Sequence, residues 1–111
     1  MNVEDIRTFA LSKPGVEEGF PFGEEVLVFK VNGKIFLLLN LYSQPLQFNA
    51  KCDPERAEEL REQYDCVLPG YHMNKKHWNT IIIDNTLTAR QLKELITHSY
   101  ELVNVKKAKK A

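Results

Sequence analysis

Apolar residues recur with two different periods along this chain, and the switches between them mark its elements. Val3, Ile6, Phe9 and Ala10 fall three and four residues apart, which places them on one stripe of a helix. Asn2 is positioned to cap that helix, with Asp5 three residues on and Glu4 near its positive end. Pro14-Gly15 cannot continue it, so the helix should stop by residue 12 or 13. Residues 15–23 read as a loop, and two large aromatics in a loop, Phe20 and Phe22, are expected to plug the end of a core. From Val26 the period becomes two. Val26–Val31 and residues 34–41 are dense in β-branched, aromatic and aliphatic side chains. Between them, Asn32-Gly33 supplies the two positive-φ positions that a type I′ hairpin turn requires. Leu27, Phe29 and Val31 should share one face, with Ile35, Leu37, Leu39 and Leu41 matching them opposite. A third strand, residues 46–50, turns Leu46 and Phe48 inward and Gln47 and Asn49 outward.

Helical spacing returns at Asp53-Pro54, which reads as an N-cap followed by a first helical residue whose missing N–H costs nothing there. Ala57, Leu60 and Tyr64 form its narrow apolar stripe, while Glu55, Arg56, Glu58, Glu59 and Glu62 face solvent. Residues 66–69 look like a short strand and residues 78–84, with Ile81-Ile82-Ile83, a final one. Thr88 and Gln91 make a capping box that opens a last helix to about residue 105, burying Leu92, Leu95, Ile96, Ser99 and Val103. The order is helix, three strands, helix, two strands, helix. It predicts one two-layer α+β domain over residues 1–105, with five mostly antiparallel strands and the helices on one face. Residues 106–111 read as a frayed basic tail.

Composition narrows the class. At 111 residues with 43% hydrophobic side chains, a single core forms without a metal or disulfide staple. The apolar run 35–39 is far short of the ~20 residues that cross a bilayer, so no membrane segment is expected. Residues 1–12 carry Glu4, Asp5 and Arg7 and lack a secretory h-region, and there are only two Cys, so the cytoplasm is the expected compartment. Fifteen basic and fifteen acidic side chains cancel, but unevenly. Residues 1–71 hold 12 acidic and 7 basic groups, and residues 72–111 hold 3 and 8, a split that lets one face attract polyanions while another repels them.

The densest chemistry lies in residues 71–79, which hold no clean period. Lys75 and Lys76 at a hairpin tip can reach phosphates, Asn74 and Asn79 can bond base edges, and Tyr71 or Trp78 can stack on a base. The bland alternative has Tyr71 and Trp78 closing the sheet's end, Asn74 in a left-handed turn and the lysines solvating a tip. Cys52, Cys66, His72 and His77 are zinc-ligand types, yet the two Cys are 14 residues apart rather than a tight pair. Each Cys reads instead as a small buried hydrophobe beside the second helix. His98 sits at the margin of the last helix's buried stripe, and no nucleophile signature or Gly-rich phosphate loop appears. No enzyme activity, metal or cofactor is therefore expected.

Several segments together resemble the MmcQ/YjbR family of small bacterial proteins. They are Lys13-Pro14-Gly15, Phe20-Pro21-Phe22-Gly23, Phe29-Lys30-Val31 with Gly33-Lys34, Lys51-Cys52-Asp53-Pro54, the distinctive block from Pro69 to Asn79, and Ser99-Tyr100 before Leu102-Val103. The resemblance implies an α-β(3)-α-β(2)-α fold, similar to type III secretion chaperones and sometimes called CyaY-like, which agrees with the element order above. It also implies DNA binding through loop or hairpin wings. By position these are the Asn32-Gly33 turn with Lys30 and Lys34, and the loop at residues 72–78. The site expected on this basis is Lys34, Tyr71, His72, Asn74, Lys75, Lys76, His77, Trp78 and Asn79, in a monomer that binds DNA without catalysis. Glu17, Glu18, Glu24 and Glu25 would oppose that reading if they lay beside the wings. The rival is a chaperone-like protein- or peptide-binding module, motivated by Phe20, Phe22 and the apolar second strand.

Overall fold

A computed structural model describes residues 1–70 and 73–105. Its elements are α1 (Val3–Leu11), β1 (Val16–Gly19), β2 (Val26–Val31), β3 (Lys34–Asn40), β4 (Gln47–Lys51), α2 (Pro54–Gln63), β5 (Val67–Pro69), β6 (Trp78–Ile82) and α3 (Ala89–Val103). The strands form one sheet of six in the order β1-β2-β3-β4-β6-β5, with every neighbouring pair antiparallel. The predicted caps are present: Asn2 and Asp5 bond reciprocally at the start of α1, Asp53 caps α2 ahead of Pro54, and Thr88 and Gln91 box the start of α3. Asn32 and Gly33 take φ of 54° and 78°, as the hairpin turn demands.

Three expectations change. The sheet has a sixth strand, β1, inside the stretch read as a loop. Val-Glu-Glu-Gly has one β-branched residue and two charges, so it carries no strand signature of its own; pairing with β2 makes it a strand. Glu18 lies on the helix side of that strand, where Arg7 of α1 donates to its carboxylate at 2.6 Å. This hydrogen bond holds the Glu18 carboxyl below its ordinary range. Second, the aromatic loop does not plug the core: Phe20 is 48% exposed and Phe22 65%.

The third change concerns facing. Phe29 lies opposite Leu37 but Lys30 lies opposite Ile35, so Phe36 is an extra residue in β3, a bulge. It turns Ile35 away from the Leu37 and Leu39 face and brings Phe36 into the core, where its ring meets Tyr100 edge-on at 5.4 Å. Bulges interrupt the ladder and leave backbone groups to be satisfied otherwise. Here Ser99 of α3, fully buried, does so twice. Its Oγ donates to the Phe36 carbonyl at 2.5 Å and accepts the Lys51 N–H at 2.8 Å.

The core places the site. Ile6 and Ala10 of α1 and Leu92, Leu95, Ile96 and Val103 of α3 pack with Leu27, Phe29, Val31, Leu37, Leu39, Phe48 and Ile81, and Leu60 of α2 joins the margin. Apart from the bulge, these strand residues occupy alternate positions that the register puts on one side of the sheet. The helices thus share one face, as expected. The other face bears the pairs Lys30 with Ile35 and Lys51 with Trp78, then the row Val28, Leu38, Asn49 and Thr80. Val28, Leu38 and Thr80 are buried without belonging to the helix-side core.

Candidate nucleic-acid interface

Both turns expected to act as wings fall at the same end of the sheet. β2 reaches its Asn32-Gly33 turn where β4 ends at Lys51 and β6 begins at Trp78, with Lys51 directly opposite Trp78. Lys34 is exposed on β3, which stands two strands from β6. At ~4.8 Å per strand the two turns are separated by about 10 Å of sheet. Asn32 Nδ2 donates to Asn104 Oδ1 at 2.7 Å just beyond α3, which ties the first turn down.

The second turn is tied more firmly. Asn74 Oδ1 accepts the Lys76 N–H, and the Asn74 carbonyl accepts the N–H groups of His77 and Trp78. From beneath, Arg61 of α2 donates to the Lys75 and Trp78 carbonyls and to Asn79 Oδ1, the last at 2.7 Å. The guanidinium is thus bonded to neutral acceptors, and its charge adds to the potential of this end. Lys75 and Lys76 themselves are exposed, and among the described residues neither forms an ion pair. His77, half-buried, accepts the Cys52 N–H on its carbonyl at 2.7 Å, which joins the turn to the end of β4.

Trp78 is half-buried on the face without helices. Gly70 lies beside it: a Cβ at that position would come within 2.8 Å of the Trp78 Cβ, so glycine is what allows this approach. Asn79 departs from expectation. It is 2% exposed, points to the helix side and is held by Arg61, so it supports the turn instead of facing solvent. Tyr71, His72 and the tail at residues 106–111 lie outside the described residues. Three cations escaped the sequence reading as site members: Arg61, Lys51, and Lys30 as part of a face rather than a tip. Alternation put Lys30 on the outward side, whereas Lys51 fell just past the strand as read, and only the strand order brings both to the face that bears Trp78.

The carboxylates are mostly elsewhere. Glu24 and Glu25 precede β2 at its far end, with Glu25 about 23 Å from Asn32 at ~3.3 Å per residue. Glu18 is engaged by Arg7. Glu17 lies opposite Lys30 at the sheet edge, and Asp53 caps α2 next to Lys51. Both Cys52 and Cys66 are buried as free thiols on either side of α2, and desolvation pushes both upward in pKa. His98 Nε2 accepts the Asp53 N–H at 3.1 Å, and burial followed by the charge of Arg56 holds its pKa below the ordinary value.

Comparisons agree with this architecture. A family model described as YjbR matches residues 11–102. The uncharacterized protein YbdF of Escherichia coli O157:H7 is 39% identical over 100 residues, which cover 90% of this chain and 82% of that one. YjbR of Escherichia coli K12 is 30% identical over 101 residues, 91% of this chain and 86% of its own. Among solved structures, the Deinococcus radiodurans protein DR2400, of domain family DUF419, superposes with a TM-score of 0.91 at 42% identity, covering 96% of this chain and 83% of that one. A Pseudomonas syringae protein follows at a TM-score of 0.81 and 26% identity, covering 94% and 100%.

Proposed function

The chain belongs to the YjbR family, and from that premise we propose that it is a non-enzymatic DNA-binding protein acting through the cationic end of its sheet. One observation carries the reading. Two separate lysine-bearing turns, brought together at one sheet end, present Lys34, Lys75 and Lys76 to solvent with no ion pair among the described residues. Such a cluster is the electrostatic footprint of phosphate contact even where the whole chain is neutral. Arg61 fixes the second turn, so the ammonium groups are presented from a defined backbone.

The test is a mobility shift with a labelled duplex carrying a single-stranded overhang, titrated across salt concentrations. Binding should weaken steeply with salt, since each neutralised phosphate contributes ~0.7–0.9 to the log–log slope. Lys75→Ala/Lys76→Ala should flatten that slope by about 1.4–1.8. A double variant with wild-type affinity and slope overturns the assignment.

A second reading has its own support. Phe20, Phe22 and Tyr42, the last 68% exposed, sit on the loops at the opposite sheet end, near Glu24 and Glu25. Exposed aromatics rimmed by charge suit a protein or peptide partner. If no DNA of either form is bound at low salt, this end becomes the leading surface.

A further inference from the structure

We infer that the nucleic acid taken by this site is single-stranded, lying across the face without helices with a base stacked on Trp78; this deepens the DNA-binding reading and rests on it. Reach disfavours a duplex. Entering a major groove about 8.5 Å deep needs a protruding helix or ribbon. Among the described residues neither turn carries a helix, and both are anchored: Asn32 of the two-residue hairpin is bonded to Asn104, and residues 74–78 are bonded to one another and to Arg61. No described helix lies on the Trp78 side of the sheet, since all three pack on the other.

The face offers something else instead. On it Lys30 stands opposite Ile35 and Lys51 opposite Trp78, with Glu17 opposite Lys30 at the β1 edge and Lys34, Lys75 and Lys76 at the rim; β2 to β6 is three strand steps, about 14 Å at ~4.8 Å per step. Cations bordering an aromatic and aliphatic floor match a flexible strand that turns its bases toward protein and its phosphates toward the edges. A duplex keeps its bases stacked inside and has no use for the indole. Gly70 fixes where the indole starts: it packs directly on the Trp78 Cβ and donates its N–H to the Trp78 carbonyl at 2.8 Å, which clamps the edge hairpin formed by β5 and β6.

Trp78 is the only tryptophan in the chain, so its fluorescence reports the site directly. The probes are an oligothymidylate and an oligouridylate of about 12 nucleotides, within the ~4–16 typical of one small sheet-based module, and a duplex of equal length. Either single strand should quench the emission saturably, while the duplex binds at least about tenfold more weakly and leaves it unchanged. With a labelled oligomer read by anisotropy, Trp78→Ala should weaken binding by about 5- to 100-fold and Trp78→Phe by only about two- to threefold. The phenylalanine variant guards against loss of fold in the alanine one. Duplex binding as tight as single-strand binding, with no quenching, overturns the single-strand inference and leaves DNA binding standing. Failure of all three probes to bind at low salt overturns both.

Discussion

Replacing Ser99 with alanine removes one oxygen and two hydrogen bonds from the point where α3 meets the bulge: the donor to the Phe36 carbonyl and the acceptor for the Lys51 N–H. Ser99 is fully buried, so water cannot take over either bond without opening the core. An orphaned buried backbone group costs ~1–3 kcal/mol, so the pair sets an expected loss of about 2–6 kcal/mol. Against a total of ~5–15 kcal/mol for a domain of ordinary stability, that is a large fraction. Urea unfolding followed by circular dichroism measures it directly, as a lower midpoint with an unchanged slope. Ser12→Ala is the internal control. Ser12 Oγ donates to the Phe9 carbonyl at 2.6 Å, a bond as short as those of Ser99, but at an exposed helix end where water replaces it. It should cost no more than ~0.5 kcal/mol. If the two substitutions cost the same, burial is not what makes the Ser99 bonds valuable, and the account of the bulge is wrong.

Two further outcomes follow from the same reasoning. Gly70→Ala places a methyl carbon 2.8 Å from the Trp78 Cβ, so it should cost about 1–3 kcal/mol and shift the tryptophan emission maximum; an unchanged spectrum and midpoint would show that the hairpin yields freely. His98 is held below its ordinary pKa of 6.5 by burial, so the unfolded chain takes up its proton first as pH falls. More protons on the unfolded state mean that stability is full above that value and declines below it. The urea midpoint should therefore drop between about pH 7.5 and about pH 5.5, and His98→Gln should lose most of that dependence; a flat wild-type profile would refute it.

The elements that were legible in sequence are those whose signals are local. Caps at Asn2, Asp53 and Thr88, and the Asn32-Gly33 turn, depend on residues three or four apart and appear as read. What stayed hidden depends on partners far along the chain. β1 exists because β2 is available to pair with it, and Ile35 faces outward because Phe36 is inserted opposite β2. Ser99 was read as part of a buried stripe, correctly, but its two bonds link residues 48 and 63 positions away. At the candidate site the exposed lysines were visible by type. Asn79 was misjudged because strand alternation puts it under Arg61, and Arg61 was passed over because a helix rich in Glu makes any one Arg look like a solvated neighbour.

Zero net charge does not make this molecule electrically featureless. Lys34, Lys75 and Lys76 stand at one extremity of the sheet and Glu24 and Glu25 at the other, which separates charge along the strands. In the field of any polyanion such a body rotates before it touches, because an approach with the carboxylates leading is repelled. Orientation is then selected during diffusion, so encounter kinetics carry much of the ionic-strength sensitivity and departure carries less.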